Sequence, residues 1–190
     1  MTRHSLVLRM LLCHVTAASA VGMAWAWGWL DQLIATDTLY LVRVNCALGV
    51  MGICVATARA VWLGREMDDA AGTKLRDYLD SNGSASIGFQ GLQIALNSRI
   101  GAVPFVAGTI LSFGLAGTIV GFVLALSGVT PESASDPAAV GPMVAAMMSG
   151  VGIALYKTLA GIVLAQYLFA MHRMLSVAGA HVLSIAARGV

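Results

Sequence analysis

Four stretches of the chain are apolar over about 20 residues or more, the length that an α-helix needs to cross the hydrocarbon core of a bilayer. They run from about Arg9 to Leu30, from Leu39 to Leu63, from Ile100 to Leu126 and from Met143 to Met171. Together they take up most of the sequence, so little remains for a separate soluble domain. The pattern predicts an all-α membrane protein with four transmembrane helices.

The polar positions predict the orientation of these helices. The segment 64–99 is the most polar part, and we expect it to form a short charged loop with helical turns over Asp68–Leu79 and Gly88–Ser98 and a turn at Ser81–Ser86. Lys and Arg near span ends are retained on the cytoplasmic side. The basic residues that share one side are Arg3, Arg9, Arg65, Lys74, Arg76, Arg99, Arg173 and Arg188. Both termini and the charged loop are therefore predicted to be cytoplasmic.

Composition agrees with a membrane protein, since 58% of the residues are hydrophobic and 11% are charged. A formal net charge of +2 is too small to indicate a nucleic-acid surface. The first apolar run continues through Trp29, beyond the 7–15 residues of a signal-peptide core, and so predicts a retained anchor.

Small residues distinguish the second half of the chain from the first. Gly114, Gly117 and Gly121 lie along the third predicted span, and Gly150 and Gly161 along the fourth. Glycines at such spacing let two helix backbones approach closely within lipid. We therefore divide the chain into a first transmembrane pair (1–63), a charged helical loop (64–99), and a glycine-rich transmembrane pair with a cytoplasmic tail (100–190).

Thr118 and Thr158 are hydroxyl residues near the middle of the third and fourth predicted spans. A threonine in such a helix commonly donates a hydrogen bond to its own backbone carbonyl one turn back. In an oligomer, two hydroxyls per chain also become rings that line an ion path or contact a partner's carboxylate. The residues themselves leave both interpretations open.

The run Phe113-Gly-Leu-Ala-Gly-Thr-Ile-Val-Gly121 resembles the Leu-Gly-x-x-Gly-Thr-x-x-Gly signature of the MotA/TolQ/ExbB proton-channel family. The run from Gly150 to Val163 resembles that family's following span, which typically reads Ala-Leu-x-Thr-Thr-x-x-Gly. The resemblance covers about Ile100 to Met171 and is architectural over the first two spans. Those two spans favour the four-span layout of flagellar stator subunits. The resemblance also implies that the pair in 1–63 is outer and that the pair in 100–190 lines the pore.

The resemblance implies a homopentamer in the bacterial inner membrane around a dimer of single-span partners similar to MotB, TolR or ExbD. Each partner would carry one membrane aspartate that binds and releases the ion, and Thr118 and Thr158 would face the channel and that aspartate. In that family, ion flow is thought to rotate the ring and the partner relative to each other. One charge crossing about 100 mV would release roughly 2.3 kcal/mol for this rotation. The sequence agrees with a carboxylate that another chain supplies, because the predicted spans contain no Asp or Glu.

Lys157 stands where the family has threonine or another uncharged residue. A charge near the membrane centre costs about 2.5–3.5 kcal/mol on insertion scales. Pairing with the partner's aspartate, deprotonation and snorkelling toward the cytoplasm all remain open, and a pore-facing lysine would oppose cation entry. Because Lys157 replaces the second threonine that could help coordinate sodium, we expect a proton to be the ion. Because the loop 64–99 is short, the sequence does not predict which cellular structure the motor would move.

Two other classes fit the same spans. A holin-like self-assembling pore needs no aspartate-bearing partner, and a non-conducting scaffold would use Lys157 to lock the assembly. The histidines lack metal-ligand spacing and no catalytic constellation appears, so neither a metal, a cofactor nor an enzyme is predicted. We interpret His14, inside the first span, as a helix-contact residue rather than a proton relay.

Overall fold

The computed structural model describes residues 3–35, 40–69, 85–127, 129–130 and 135–188. The described residues form six helices and no strand: α1 Arg3–Ala26, α2 Trp29–Ala35, α3 Leu41–Asp69, α4 Ala85–Ile100, α5 Ala102–Ser127 and α6 Pro137–Arg188. The segments long and apolar enough to cross a membrane are Leu6–Ala26, Leu41–Arg65, Asn97–Ser127 and Pro137–Ser184. The prediction of an all-helical chain with four such helices is confirmed.

The first predicted link, Asp31–Thr38, is partly helical. Helix α1 ends where Gly28 takes φ = 72°, a left-handed conformation that glycine adopts without steric cost. The Gly28 N–H donates to the carbonyl of Trp25 at 2.8 Å. Helix α2 then begins at Trp29, so the chain leaves the first span through a short second helix.

The predicted loop 64–99 is helical at both of its ends. Helix α3 continues to Asp69, and α4 contains the whole of the predicted helix Gly88–Ser98. Gly101 separates α4 from α5, and its N–H donates to the carbonyl of Asn97 at 2.8 Å. The predicted helix Asp68–Leu79 and turn Ser81–Ser86 fall mostly outside the described residues.

Helix α6 is longer than the predicted span Met143–Met171. It has 52 residues, or about 78 Å at 1.5 Å per residue, against a hydrocarbon core of about 30 Å. The Asp136 carboxylate caps its start by accepting from the N–H of Ala138 at 2.9 Å. Beyond Met171 the helix continues because Leu175, Ala178 and Val182 are buried against other helices. The expected polar tail is therefore part of one long helix.

Long helices that follow one another in the chain run in opposite directions, and α3 and α6 therefore run parallel where they pack together. Helix α5 runs antiparallel to α6, because Gly121 lies beside Ala154 and Gly114 beside Gly161. At one end of the bundle a cluster joins Leu6 of α1, Leu63 of α3, and Ala178 and Val182 of α6. The predicted orientation requires such a meeting of these helix ends, and the side of the membrane that this end faces stays a prediction.

Candidate functional site

The contact between α5 and α6 is made of glycine and alanine. A Cβ on Gly121 would lie 2.5 Å from Cβ of Ala154, and one on Gly150 would lie 2.6 Å from Cβ of Ala125. Farther along, a Cβ on Gly161 would lie 3.0 Å from Cα of Gly114. Real Cβ atoms essentially never approach other atoms to 2.5 or 2.6 Å, so the two backbones depend on Gly121 and Gly150 having no side chain, and Gly161 leaves little room for one.

The two threonines meet across this contact. The Thr118 and Thr158 hydroxyls are hydrogen-bonded to each other, and the Thr158 hydroxyl lies 3.1 Å from the carbonyl oxygen of Gly114. The Thr118 hydroxyl lies 3.4 Å from that same oxygen, one turn back in its own helix. The structure thus shows the bond to the backbone carbonyl together with a polar pair between two helices of one chain. That the hydroxyls form rings along an ion path stays a prediction.

Proton counting defines the chemistry of the pair. Each threonine hydroxyl has one proton to donate and two lone pairs. One proton makes the bond between the hydroxyls and the other is directed to the Gly114 carbonyl. The pair therefore keeps unused lone pairs and no unused proton, which makes it an acceptor for a cation, a water molecule or a protonated acid.

Lys157 lies on a different side of α6 from Thr158. Consecutive residues of an α-helix point about 100° apart. Lys157 is 3% exposed and packs along Gly117, where a Cβ would lie 3.3 Å from its own Cβ and 3.4 Å from its Cδ. It lines a small cavity with Asn45 and Cys46 of α3. The structure therefore places the lysine toward α3 and the threonine toward Thr118.

Asn45 is a polar residue that the sequence analysis missed. Its side chain is 5% exposed, and its Oδ1 atom is buried with no hydrogen-bond partner among the described residues. The signal was an amide inside a largely apolar span, four residues after the start of α3. An amide oxygen that is buried without a donor lowers the free energy of unfolding by about 1–3 kcal/mol.

A second polar cluster joins α1, α3 and α6. The His14 Nε2 atom lies 3.0 Å from the Thr57 hydroxyl oxygen, and Nδ1 lies 2.8 Å from the carbonyl oxygen of Met10 and 3.2 Å from the Tyr167 hydroxyl oxygen. The Thr57 hydroxyl also donates to the carbonyl of Ile53 at 2.8 Å. His14 is thus a helix-contact residue, as its sequence context indicated, and Thr57 and Tyr167 are contacts that only the fold reveals.

Comparison of the chain with protein-family models, curated proteins and solved structures gives no match. Within the described segments, no three His, Cys, Asp or Glu side chains are grouped so as to hold a metal ion. The class of protein that the fold defines is a multi-pass membrane protein with four long apolar helices. Its function is inferred from the polar residues inside those helices.

Proposed function

We propose that the chain is the channel-forming subunit of an ion-driven motor of the MotA/TolQ/ExbB type, in which a homopentamer surrounds two single-span partners. The observation that carries the proposal is the pair of hydroxyls, Thr118 and Thr158, bonded across a glycine contact between two membrane-spanning helices. The four candidate spans contain no Asp or Glu. A proton path through them either borrows a carboxylate from another chain or uses water and hydroxyls alone, and our proposal takes the first of these.

The free lone pairs of the two threonine hydroxyls support the proposal that a partner's aspartate alternates between a protonated and an ionised form. A protonated aspartic acid has an O–H to donate, whereas an ionised carboxylate accepts only. Because the pair accepts, it stabilises the protonated form by direct contact and leaves the ionised form to find donors elsewhere. Such a preference favours protonation of the aspartate at the level of Thr118 and Thr158.

The burial of Lys157 also supports a cation path. A lysine beside the threonine pair would repel protons and sodium ions alike, since two unit charges 4 Å apart interact by about 4 kcal/mol at an effective dielectric constant of 20. Lys157 is packed along Gly117 on the α3 side instead. We take its role to be structural and keep a proton as the ion.

Stoichiometry tests the assembly. The chain, tagged at its C-terminus and purified from its native membranes in mild detergent, is analysed by native mass spectrometry. We expect five copies together with two copies of a smaller chain that has one membrane span with an aspartate. A monomer would overturn the proposal. A large homo-oligomer that makes membranes leaky without a second chain would assign the protein to the holin-like class.

Proton flux tests the site. In inverted vesicles that contain the complete complex, Thr158→Val and Thr118→Val are expected to lower the rate of proton uptake at least tenfold. The matched control is Thr109→Val in the same helix α5, because the Thr109 hydroxyl bonds the Phe105 carbonyl one turn back at 3.0 Å. Equal flux in all three variants would remove the threonine pair from the ion path. An assembled complex that conducts no ion would indicate the scaffold class.

A further inference from the structure

An arginine of α4 and a tryptophan of α3 meet at the end of the bundle that holds the cluster of Leu6 and Leu63. The guanidinium carbon of Arg99 lies over the Trp62 ring, 4.6 Å from its centre. The negative face of an indole ring attracts a cation at this distance. Trp62 in turn packs against the cluster that contains Leu63. The ring therefore fixes the position of the Arg99 charge.

Two further arginines flank Trp62 along α3. Arg59 precedes the tryptophan by three residues and Arg65 follows it by three, and residues three apart are neighbours on a helix surface. Arg65 and Arg99 are exposed, and Arg59 is half-buried. Within the described segments these three guanidinium groups form no ion pair with a carboxylate. We call Arg59, Trp62, Arg65 and Arg99 the arginine–tryptophan cluster.

The cluster lies where two membrane-spanning segments end. The apolar segment of α3 stops at Arg65, and the one that continues into α5 begins at Asn97. Side chains at this depth are level with the lipid headgroups, where tryptophan is enriched. The guanidinium group of arginine matches a phosphate group by forming two parallel N–H···O hydrogen bonds. The ligand that suits the cluster by charge and by depth is an anionic headgroup of the membrane.

We propose that the arginine–tryptophan cluster binds the phosphate group of an anionic phospholipid. The guanidinium groups donate hydrogen bonds to the phosphate oxygens, and Trp62 holds Arg99 in position for this contact. Phosphatidylcholine has the same phosphate group but adds a choline cation, which three arginines repel, so the cluster selects phosphatidylglycerol over phosphatidylcholine. This lipid site does not depend on the proposed channel function.

The positions of the tryptophans make the test selective. The four tryptophans of the chain are Trp25, Trp27, Trp29 and Trp62, so the full chain with the first three changed to Phe reports from Trp62 alone. It is reconstituted in vesicles of phosphatidylcholine that contain a rising fraction of brominated phosphatidylglycerol or of brominated phosphatidylcholine, because bromine quenches tryptophan fluorescence on contact. We expect phosphatidylglycerol to bind at least fivefold more tightly, since one basic residue near an anionic surface contributes a factor of about five.

Substitutions of arginine test which residues make the site. Arg99→Gln should lower the preference about fivefold, and Arg59→Gln, Arg65→Gln and Arg99→Gln together should remove it. The matched control is Arg43→Gln, because Arg43 lies 4.8 Å from the centre of the Tyr40 ring and is about five helical turns before Trp62 in the same helix. This control should keep the preference of the parent.

Three results would overturn the lipid site. The first is equal binding of the two lipids by the protein that has only Trp62 and keeps all its arginines. The second is a preference that survives the three arginine substitutions. The third is a preference that disappears when inorganic phosphate is added at constant ionic strength, because it would show that the cluster binds free phosphate. None of these outcomes bears on the five-to-two stoichiometry, so the lipid site and the channel function are tested separately.

Discussion

Helix α6 packs against its two main neighbours in different ways. Toward α5 both helices present small residues, and the backbones touch: Gly161 and Gly114 approach so closely that an added Cβ would lie 3.0 Å from a Cα atom. Toward α3 the glycines lie on one helix only. Gly49 and Gly52 of α3 receive the leucine side chains Leu164 and Leu168 of α6.

The difference shows that glycine has two uses in this bundle. In the α5–α6 contact its missing side chain brings two backbones together, and the backbone has no way to move aside for an added methyl group. In the α3–α6 contact it forms a recess for a leucine, whose terminal methyl groups can rotate. We therefore expect the same substitution to have unequal effects on the two sides.

The largest expected effect is on the α3 side, from removal of a leucine. Leu168 is 0% exposed, so Leu168→Ala should leave a cavity and lower the free energy of unfolding by about 2–5 kcal/mol. The measurement is denaturation by SDS in mixed micelles, followed by far-ultraviolet circular dichroism. Leu159→Ala is the control, since Leu159 is 50% exposed. Equal losses for the two variants would mean that the α3 side is not packed as described.

A methyl group added in the α5–α6 contact should have the next largest effect. Gly121→Ala places a Cβ 2.5 Å from that of Ala154, and such overpacking costs about 1–3 kcal/mol. Gly121→Ala combined with Ala154→Gly should recover only part of the loss in the same unfolding assay, because the added Cβ would still lie 2.9 Å from the Cα atom of residue 154.

The control for this prediction is Gly108→Ala in the same helix, where an added Cβ would meet no atom within 4 Å. That variant should equal the parent or gain up to about 1 kcal/mol from helix propensity. A Gly121→Ala variant as stable as Gly108→Ala would show that α5 and α6 are not packed at Gly121 as described.

A methyl group added on the α3 side should have a smaller effect. Gly52→Ala brings a Cβ to 2.8 Å from Cδ1 of Leu168 and 3.1 Å from Cγ1 of Val106. Both are ends of side chains, so we expect a change within about 1.5 kcal/mol. In a double-mutant cycle, Gly52→Ala should lessen the loss caused by Leu168→Ala, because the new methyl group fills part of the cavity. If the effects of Gly52→Ala and Leu168→Ala on the free energy of unfolding were strictly additive, Gly52 would not form a recess for Leu168.

The smallest expected effect concerns the polar cluster that joins α1 to the rest of the bundle. Thr57→Val removes the hydroxyl at 3.0 Å from His14 Nε2, and interhelical hydrogen bonds in membranes contribute about 0.6 kcal/mol on average and 1.7 at most. The matched control is Thr16→Val, whose hydroxyl is exposed and bonds the Leu12 carbonyl at 3.0 Å. The two variants should differ by about the value of one interhelical bond, and identical stabilities would argue against the contact.

Much of the architecture is readable from the residues because lipid restricts what a chain can do. Without water, backbone groups must bond within a helix or a closed barrel, so length and apolarity identify the spans. The same rule does not determine where the helix that contains the fourth span ends. The scattered polar residues after Met171 suggested a tail, but Leu175, Ala178 and Val182 continue one buried face, and α6 extends to Arg188.

By itself, the sequence determined the membrane class, the four apolar helices, and the glycine and threonine positions that resemble the channel family. The tertiary structure alone decided that Thr118 meets Thr158, that Lys157 and Asn45 line one cavity, and that His14 meets Thr57 and Tyr167. The physical reason is that the formation of a spanning helix depends on the helix's own residues. Its rotation and register against a neighbouring helix depend on the packing of all the side chains between the two.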